Sequence, residues 1–547
     1  MLFRLIRKLA QLRGDPVLRR WLMGRVTGRL PGPPAFRPHR PPYLNDLAAL
    51  APETPTQGFS GLKGAIPTKP ISLKLAGTTI RVEPGQEADL FKRRFEDVET
   101  LLSLHRFAWL TDSGDDIDPA WVGVIWRAWL ERFSAPSGEW PWHPYTAGER
   151  AVNILAFARR HGLPGPLDET LPVLAAHGPA IAGRLEYFGD HHTSNHLANN
   201  GRGLFVLGLE LGLAQATEIG ARILVQEAKR ILTPSGLLRE GSSHYHLLYL
   251  RLYENVATTA EAAARPEAAA FRKIALGMRK AAQNLMLPGG LPLIGDISPD
   301  ISPATLLAAL ELESEAGPAA FAADGWLRFD DGPWSGLWHA SPEGFSHMPG
   351  HGHQDMGGFE LHYRDEPLFI DPGRGAYGDT GGSALYRSAT MHNGLMVNGA
   401  EPFPPNRPYY DKSFRRLAAG PPPELVSSAH GVTLRHHGFA RLPRCGTHER
   451  SWRFQGPRMT LQDRLQGRGQ AFVIRTLITP LACERTEHGI SIRGKNITYA
   501  LESDGADITL EPVTRWLAYA KGAPATAIRL KSATQLPFDG SIRVEAR

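Results

Sequence analysis

Residues 196–213 read His196-Leu-Ala-Asn-Asn-Gly-Arg-Gly-Leu-Phe-Val-Leu-Gly-Leu-Glu-Leu-Gly-Leu213. Apolar side chains recur at intervals of three and four, as at Leu204, Leu207 and Leu211, which predicts a helix with a broad buried stripe. Ser194 and Asn195 stand where an N-cap is needed, because their side chains can accept the first unpaired helical N–H groups. The same period extends outward from this stretch. Val122–Phe133, Ala147–Arg159, Glu218–Leu232, Leu247–Ala262 and Ala268–Leu285 are predicted helices, with breaks at Pro164, 234–236 and 288–290. Successive helices with short connections and no strands between them, from about Asp89 to Leu312, predict an α-helical bundle or toroid.

After about Asp324 the texture changes. Short runs such as Gly358–Leu361, Leu368–Ile370, Gly394–Val397, Val432–Arg435, Arg450–Phe454, Met459–Asp463, Ala471–Ile478, Ile490–Arg493, Ile508–Leu510 and Ile528–Leu530 are mostly bounded by Gly, Pro, Asn or Asp. That spacing predicts an all-β sandwich. The fold class is therefore multidomain, α then β. The expected division is a basic amphipathic segment at 1–40, a Pro-rich connector at 41–87 with a strand pair in Leu75–Val82, a helical domain at 88–320 and a β domain at 321–547.

The chain has 547 residues, 42% hydrophobic and 21% charged, which excludes disordered and collagen-like classes. Two cysteines, Cys445 and Cys483, cannot build a disulfide framework or a thiolate zinc site. The net charge of +6 is local: residues 1–40 hold ten Lys/Arg against Asp15 alone, so the remainder is slightly acidic. Nucleic acid is accordingly not an expected partner. In Met1–Leu12, Arg4, Arg7 and Lys8 interrupt the apolar residues, so no secretory leader is read. The stretch is the candidate for peripheral membrane contact, or else a first helix with a solvated basic face. No run reaches the ~20 apolar residues of a membrane span. A cytoplasmic location is the expectation.

Three polar constellations stand out. The densest is His351-Gly-His353-Gln-Asp355, followed by Asp371-Pro-Gly373 and His392-Asn393. His353, Asp371 and His392 make a two-His, one-carboxylate set suited to zinc or another divalent metal. Strand-end hydrogen bonding is the alternative. The second is Ser194-Asn195-His196, where a helix N-terminus favours an anion, or where the residues serve as caps alone. The third is Glu240-Gly-Ser-Ser-His244-Tyr245-His246, a phenol between imidazoles at a helix entry; a core Tyr is the alternative. Trp140-Pro-Trp142-His143 is either a sugar-stacking platform or core. No Walker loop, GxSxG or HExxH occurs.

Together, Leu185 to Gly201, Arg239 to His246, and His351 to Asn393 resemble the heparinase II/III-like polysaccharide lyases. His105 to Leu110 and Glu449 to Phe454 with Asp463 add weaker similarity. The resemblance spans roughly residues 100–480. It implies an (α/α) toroid followed by an antiparallel β-sandwich, and β-elimination on an anionic, uronic-acid-containing polysaccharide or oligosaccharide. Carried onto this sequence, it implies Tyr245 as the acid on the leaving oxygen, and also as a candidate base. His196 and His351 would be base or charge-stabilising groups, and Asn195 the holder of the uronate carboxylate. Trp142, Glu240, His246 and Arg387 are the candidate substrate contacts. His353, Asp371 and His392 would hold a structural divalent metal, with Zn2+ the expected ion. Two alternatives are a glycoside hydrolase, with Glu240 and Asp296 as its carboxylates, and a non-catalytic glycan-binding protein on the same scaffold.

Overall fold

The computed structural model describes residues 15–30, 36–64, 66–113, 117–315, 320–378, 380–407, 410 and 412–547. The basic stretch 1–12 lies outside them. The first described helix, α1 (Pro16–Val26), begins at Asp15, whose carboxylate accepts the N–H groups of Val17 and Leu18. The same carboxylate pairs at 2.7 Å with the buried Arg441 and so ties the start of the described chain to the β half. The Pro-rich segment is mostly irregular, with one tight turn at Pro42–Leu44 that sinks Leu44 fully into the helical core. The strand pair is a hairpin of β1 (Ile71–Leu75) and β2 (Thr78–Val82), starting four residues earlier than expected.

The helical half is built from α2 (Val98–Arg106), α3 (Pro119–Phe133), α4 (Pro144–His161), α5 (Leu167–Ala182), α6 (His196–Leu211), α7 (Ala214–Ile231), α8 (Ser243–Ala262), α9 (Ala268–Leu285) and α10 (Pro303–Leu310). All six predicted helices are present. The additional ones, α2, α5 and α10, are short or carry breakers. In α5, Pro172 and Pro179 each remove a backbone donor, but burial of Leu174, Ala175 and Ile181 overrides the local cost. Stacked Trp126 and Trp129, with ring centroids 5.1 Å apart, lie at the centre of this core.

The C-terminal half is antiparallel. One sheet runs β3 (Trp326–Asp331), β4 (Trp334–His339), β5 (Gly358–Tyr363), β6 (Glu366–Phe369). The larger, ten-stranded sheet contains β7 (Leu395–Val397), β8 (Glu424–Ser428), β9 (Gly431–His436), β10 (Cys445–Gln455), β11 (Arg458–Thr479), β12 (Ala482–Arg485), β13 (Ile490–Arg493), β14 (Thr498–Ser503), β15 (Asp507–Ala518) and β16 (Lys521–Ala546). Its main path is β12-β13-β14-β16-β11-β10-β9-β8. Trp338 and Phe359 of the small sheet meet Trp452 of the large one at 5.7 and 5.3 Å between ring centroids, forming the sandwich core. Met459–Asp463 and Ala471–Ile478, expected as two strands, are one strand, β11. A bulge between Leu465 and Gly469 absorbs the irregularity. Gly467 there has φ +151°, and a Cβ would meet the Arg444 carbonyl at 2.3 Å. An additional helix, α11 (Lys412–Ala419), packs near α1 through Phe414 and Trp21, whose rings are 5.5 Å apart. Among the described residues no helix is long and apolar enough to cross a membrane.

Candidate active site

The two halves meet where the loop after α9 touches two β-domain loops. The Asp296 N–H donates to the His351 carbonyl at 2.9 Å, and the Ile297 N–H to that of Arg374 at 3.3 Å. The His351 N–H donates in turn to the Glu240 carbonyl at 2.8 Å. Gly295, at φ +83°, permits this approach, since a Cβ would lie 2.5 Å from the Gly241 carbonyl oxygen.

Tyr245 sits in the first turn of α8, where Ser242 caps the helix by accepting the Tyr245 N–H at 3.1 Å. Its ring stacks on His351 with centroids 3.5 Å apart and planes 8° from parallel. Its hydroxyl is 2.5 Å from that of Tyr377, which lies 3.2 Å from the Ile297 carbonyl oxygen. Burial pushes the Tyr245 phenol well above its ordinary value of about 10, against the contrary effect of the Tyr377 hydrogen bond. Tyr245 is therefore a neutral phenol at rest. His351 faces carboxylates through both nitrogens: Asp296 at 3.2 Å from Nδ1 and Glu240 at 3.7 Å from Nε2.

Asn195 and His196 occupy the start of α6. The Asn195 N–H and side-chain amide donate to the two oxygens of Glu240, at 2.8 and 2.6 Å. His196 points its Nδ1 at Glu186, 2.8 Å away, and its side chain is 41% exposed. Partial burial opposes the imidazolium, but the charge and hydrogen bond of Glu186 outweigh it and raise the His196 pKa. The Asn200 amide and His143 also approach Glu186, at 3.1 and 3.6 Å. The Tyr145 ring lies 4.7 Å from that of His196. Arg106, held by Asp300 at 2.6 Å and Glu99 at 3.2 Å, also sits over the Tyr145 ring, 4.7 Å from its centroid. The structure thus brings Asn195, His196, Tyr245 and His351 into one neighbourhood linked by Glu240.

Three of the expected substrate contacts are corrected. Trp142 is 1% exposed: its indole N–H donates to the Phe133 carbonyl and its ring meets His177 and Arg150, so it is core. His246 is also 1% exposed, with Nδ1 accepting from the Leu238 N–H and Nε2 facing the Met278 carbonyl. Glu240 is 1% exposed and committed to Asn195. Arg387 is half-buried, and its carbonyl accepts from the Gln354 N–H.

The expected metal set is close together but arranged as hydrogen-bonded pairs. His392 Nδ1 lies 2.7 Å from Asp371, and His353 Nε2 lies 2.9 Å from Asp296. The two rings are 5.2 Å apart. The remaining nitrogens, His353 Nδ1 and His392 Nε2, are buried without partners. Among the described residues no group of three or more His, Cys, Asp or Glu is arranged to hold a metal ion.

Sequence reasoning gave no role to Glu186, Tyr145 or Tyr377. Glu186 lies ten residues before His196, and the Leu185 motif contains it, but nothing local reveals that it orients the imidazole. Asp296, named above only as a carboxylate of the hydrolase alternative, accepts from Arg374 at 2.9 Å while meeting His351 and His353. It is 6% exposed.

Residues 314–543 match the family model described as Heparinase II/III-like, C-terminal. Comparison with curated proteins found no sequence match. Among solved structures, one described as heparinase III aligns with a TM-score of 0.60 at 14% identity, covering 83% of this chain and 78% of that one. The heparan sulfate lyase HepC of Pedobacter heparinus aligns at 0.52 and 16% identity, covering 85% and 79%. A second heparinase III, the BT4657 gene product, gives 0.54 and 16%, covering 84% and 80%. Similarity at this level carries the fold: an (α/α) toroid with an antiparallel β domain behind it. The sequence resemblance and the architecture agree: residues 314–543 are similar to the heparinase II/III-like C-terminal model, and the chain as a whole has the fold seen in the structure described as heparinase III.

Proposed function

We propose that the protein is a polysaccharide lyase that cleaves a uronic-acid-containing glycan by β-elimination and leaves a C4=C5 unsaturated uronate. The observation that carries this is the pairing of a neutral phenol, Tyr245, with an exposed, carboxylate-oriented imidazole, His196. β-Elimination next to a carboxylate needs one group to take the C5 proton and another to protonate the departing C4 oxygen. His196 supplies the first: Glu186 fixes Nδ1 and leaves Nε2 as the accepting atom. Tyr245 supplies the second, because burial keeps its proton in place until a developing alkoxide receives it. His351 holds the phenol by stacking, and Asn195, anchored by Glu240 and 1% exposed, has one further amide N–H that would meet the uronate carboxylate only once substrate uncovers it. A fixed donor at that carboxylate, where charge builds during proton removal, contributes about 3–4 kcal/mol. Fold similarity to proteins described as heparan sulfate lyases supports the substrate class. The hydrolase alternative is less well supported, since Glu240 and Asp296 are both buried and both occupied by His351.

The test is digestion of glycosaminoglycans, alginate, glucuronan and bacterial exopolysaccharides, followed by ultraviolet absorbance. A new enoate chromophore supports the lyase, whereas products that incorporate 18O from water at the reducing end and lack the chromophore exclude it. His196 as base carries a pH signature. Its raised pKa means that the neutral form is reached only as pH climbs past the ordinary histidine value of about 6.5. The acidic limb of kcat/KM should therefore lie above that value, and Glu186→Gln should move it to lower pH. An unmoved limb would assign the base elsewhere.

We also propose a structural divalent cation, with Zn2+ the preferred ion, held by the unpartnered nitrogens of His353 and His392, with Asp371, the third residue of the expected set, standing behind His392 instead of serving as a ligand. Asp371 and Asp296 fix the opposite nitrogen of each ring, as carboxylates do behind metal-bound imidazoles. Such an ion would order the 351–355 and 371–393 loops. Elemental analysis should find about one equivalent, and a chelator should lower the thermal midpoint. A metal-free protein whose midpoint is indifferent to chelator would contradict this.

A further inference from the structure

Each segment that delivers a candidate catalytic group also delivers a basic one a few residues earlier. His192 precedes Asn195, Arg239 precedes Tyr245, and His347 precedes His351. These basic residues are gathered. Arg239 spans to the first segment, donating from Nη2 to the Asp190 carbonyl at 3.0 Å. Gly350 presses on both sides, and a Cβ there would meet the carbonyl oxygens of His347 at 2.8 Å and Glu240 at 3.3 Å. The charged groups acting on His347 include Arg239, Arg230, His191 and Arg415 of α11.

The nearby acids are already engaged. Glu227 pairs with Arg230, Glu240 accepts from Asn195, and the Asp190 carboxylate accepts from Tyr187. By contrast, four buried nitrogens lack any hydrogen-bond partner: His192 Nδ1, Arg239 Nε, His347 Nε2 and Arg415 Nε. Buried donors are rarely left unmade without reason. Burial, reinforced by the neighbouring arginines, depresses the His347 pKa to about 3, so its imidazole is neutral and offers a hydrogen bond rather than a charge.

We propose that Arg239 and Arg415, with the neutral imidazole of His347 as a hydrogen-bonding partner and His192 at the edge, form an anion subsite at the seam where residues 239–241 meet 347–352, which takes an oxyanion, a carboxylate or a sulfate, on the sugar adjoining the one cleaved. The assignment of a sugar rests on the lyase reading above; the anion site itself does not. Guanidinium groups suit this task, because their planar donors match either oxyanion in two-pronged contact.

The test is isothermal titration of the full chain with sodium sulfate and, separately, sodium glucuronate, at constant ionic strength. The wild type and Tyr245→Phe should bind one or both saturably. Arg415→Gln and His347→Gln should each weaken binding about 10- to 100-fold, and Arg415→Lys should recover part of the loss. Circular dichroism and the thermal midpoint check that each variant is folded. Tighter sulfate binding assigns a sulfated neighbour, and tighter glucuronate binding a second uronate. Absence of binding to the wild type, or equal binding by the folded Gln variants, would overturn the subsite. Anion binding that persists in a protein yielding no unsaturated product would sink the lyase reading alone.

Discussion

Tyr245→Phe is expected to lower kcat on a cleaved uronate polymer by about 10³-fold, within the usual range for loss of a positioned proton donor, while KM moves only a few-fold. The reason is geometric. Phe keeps the ring that stacks on His351 at 3.5 Å, so packing at the seam survives. What disappears is the hydroxyl proposed to protonate the leaving oxygen. Tyr377, 2.5 Å from that hydroxyl, is half-buried and cannot fill the gap without moving. Initial-rate absorbance assays on the variant decide the matter, with near-ultraviolet circular dichroism to verify that the aromatic packing is unchanged. Activity within tenfold of the wild type would remove Tyr245 from the chemistry.

Asp296→Ala should have the largest effect on stability. The Asp296 carboxylate, 6% exposed, is met by His351, His353 and Arg374 at 3.2, 2.9 and 2.9 Å. Burial alone would disfavour its charge, but the hydrogen bonds of the two histidines and the nearby guanidinium hold its pKa well below the usual carboxylate range. Removing it leaves Arg374 buried without its counter-ion, a loss of about 3–5 kcal/mol for a buried pair broken on one side. Urea unfolding followed by tryptophan fluorescence should show the midpoint falling. An unchanged midpoint would mean that water replaces the carboxylate. Asp296→Asn, which keeps an acceptor but not the charge, should fall between the two.

The architecture was legible where periodicity was strong. The apolar stripe of Ala268–Leu285 predicts that helix to the residue. It was illegible where tertiary burial overrode local signals, as in α5 with its two prolines, or where a bulge let one strand run through two glycines, as in β11. Candidate site residues were legible as clusters of reactive side chains close in sequence. Their supports were not, because Glu240 reaches back 45 residues to Asn195 and Asp296 reaches 55 residues forward to His351. Composition has no access to such pairings. The same blindness accounts for Trp142, since an aromatic pair reads alike whether it faces a sugar or the inside of a bundle.

The Asp296 junction also bears on how the molecule can be divided. An acceptor contributed by one half organises an imidazole and a guanidinium contributed by the other, so neither fragment expressed by itself would hold His351 in register under Tyr245. Splitting the gene near residue 320 should yield two inert pieces, and a hybrid that borrows either piece from a distant cousin should be competent only if the carboxylate and its cationic receivers are transplanted as a set.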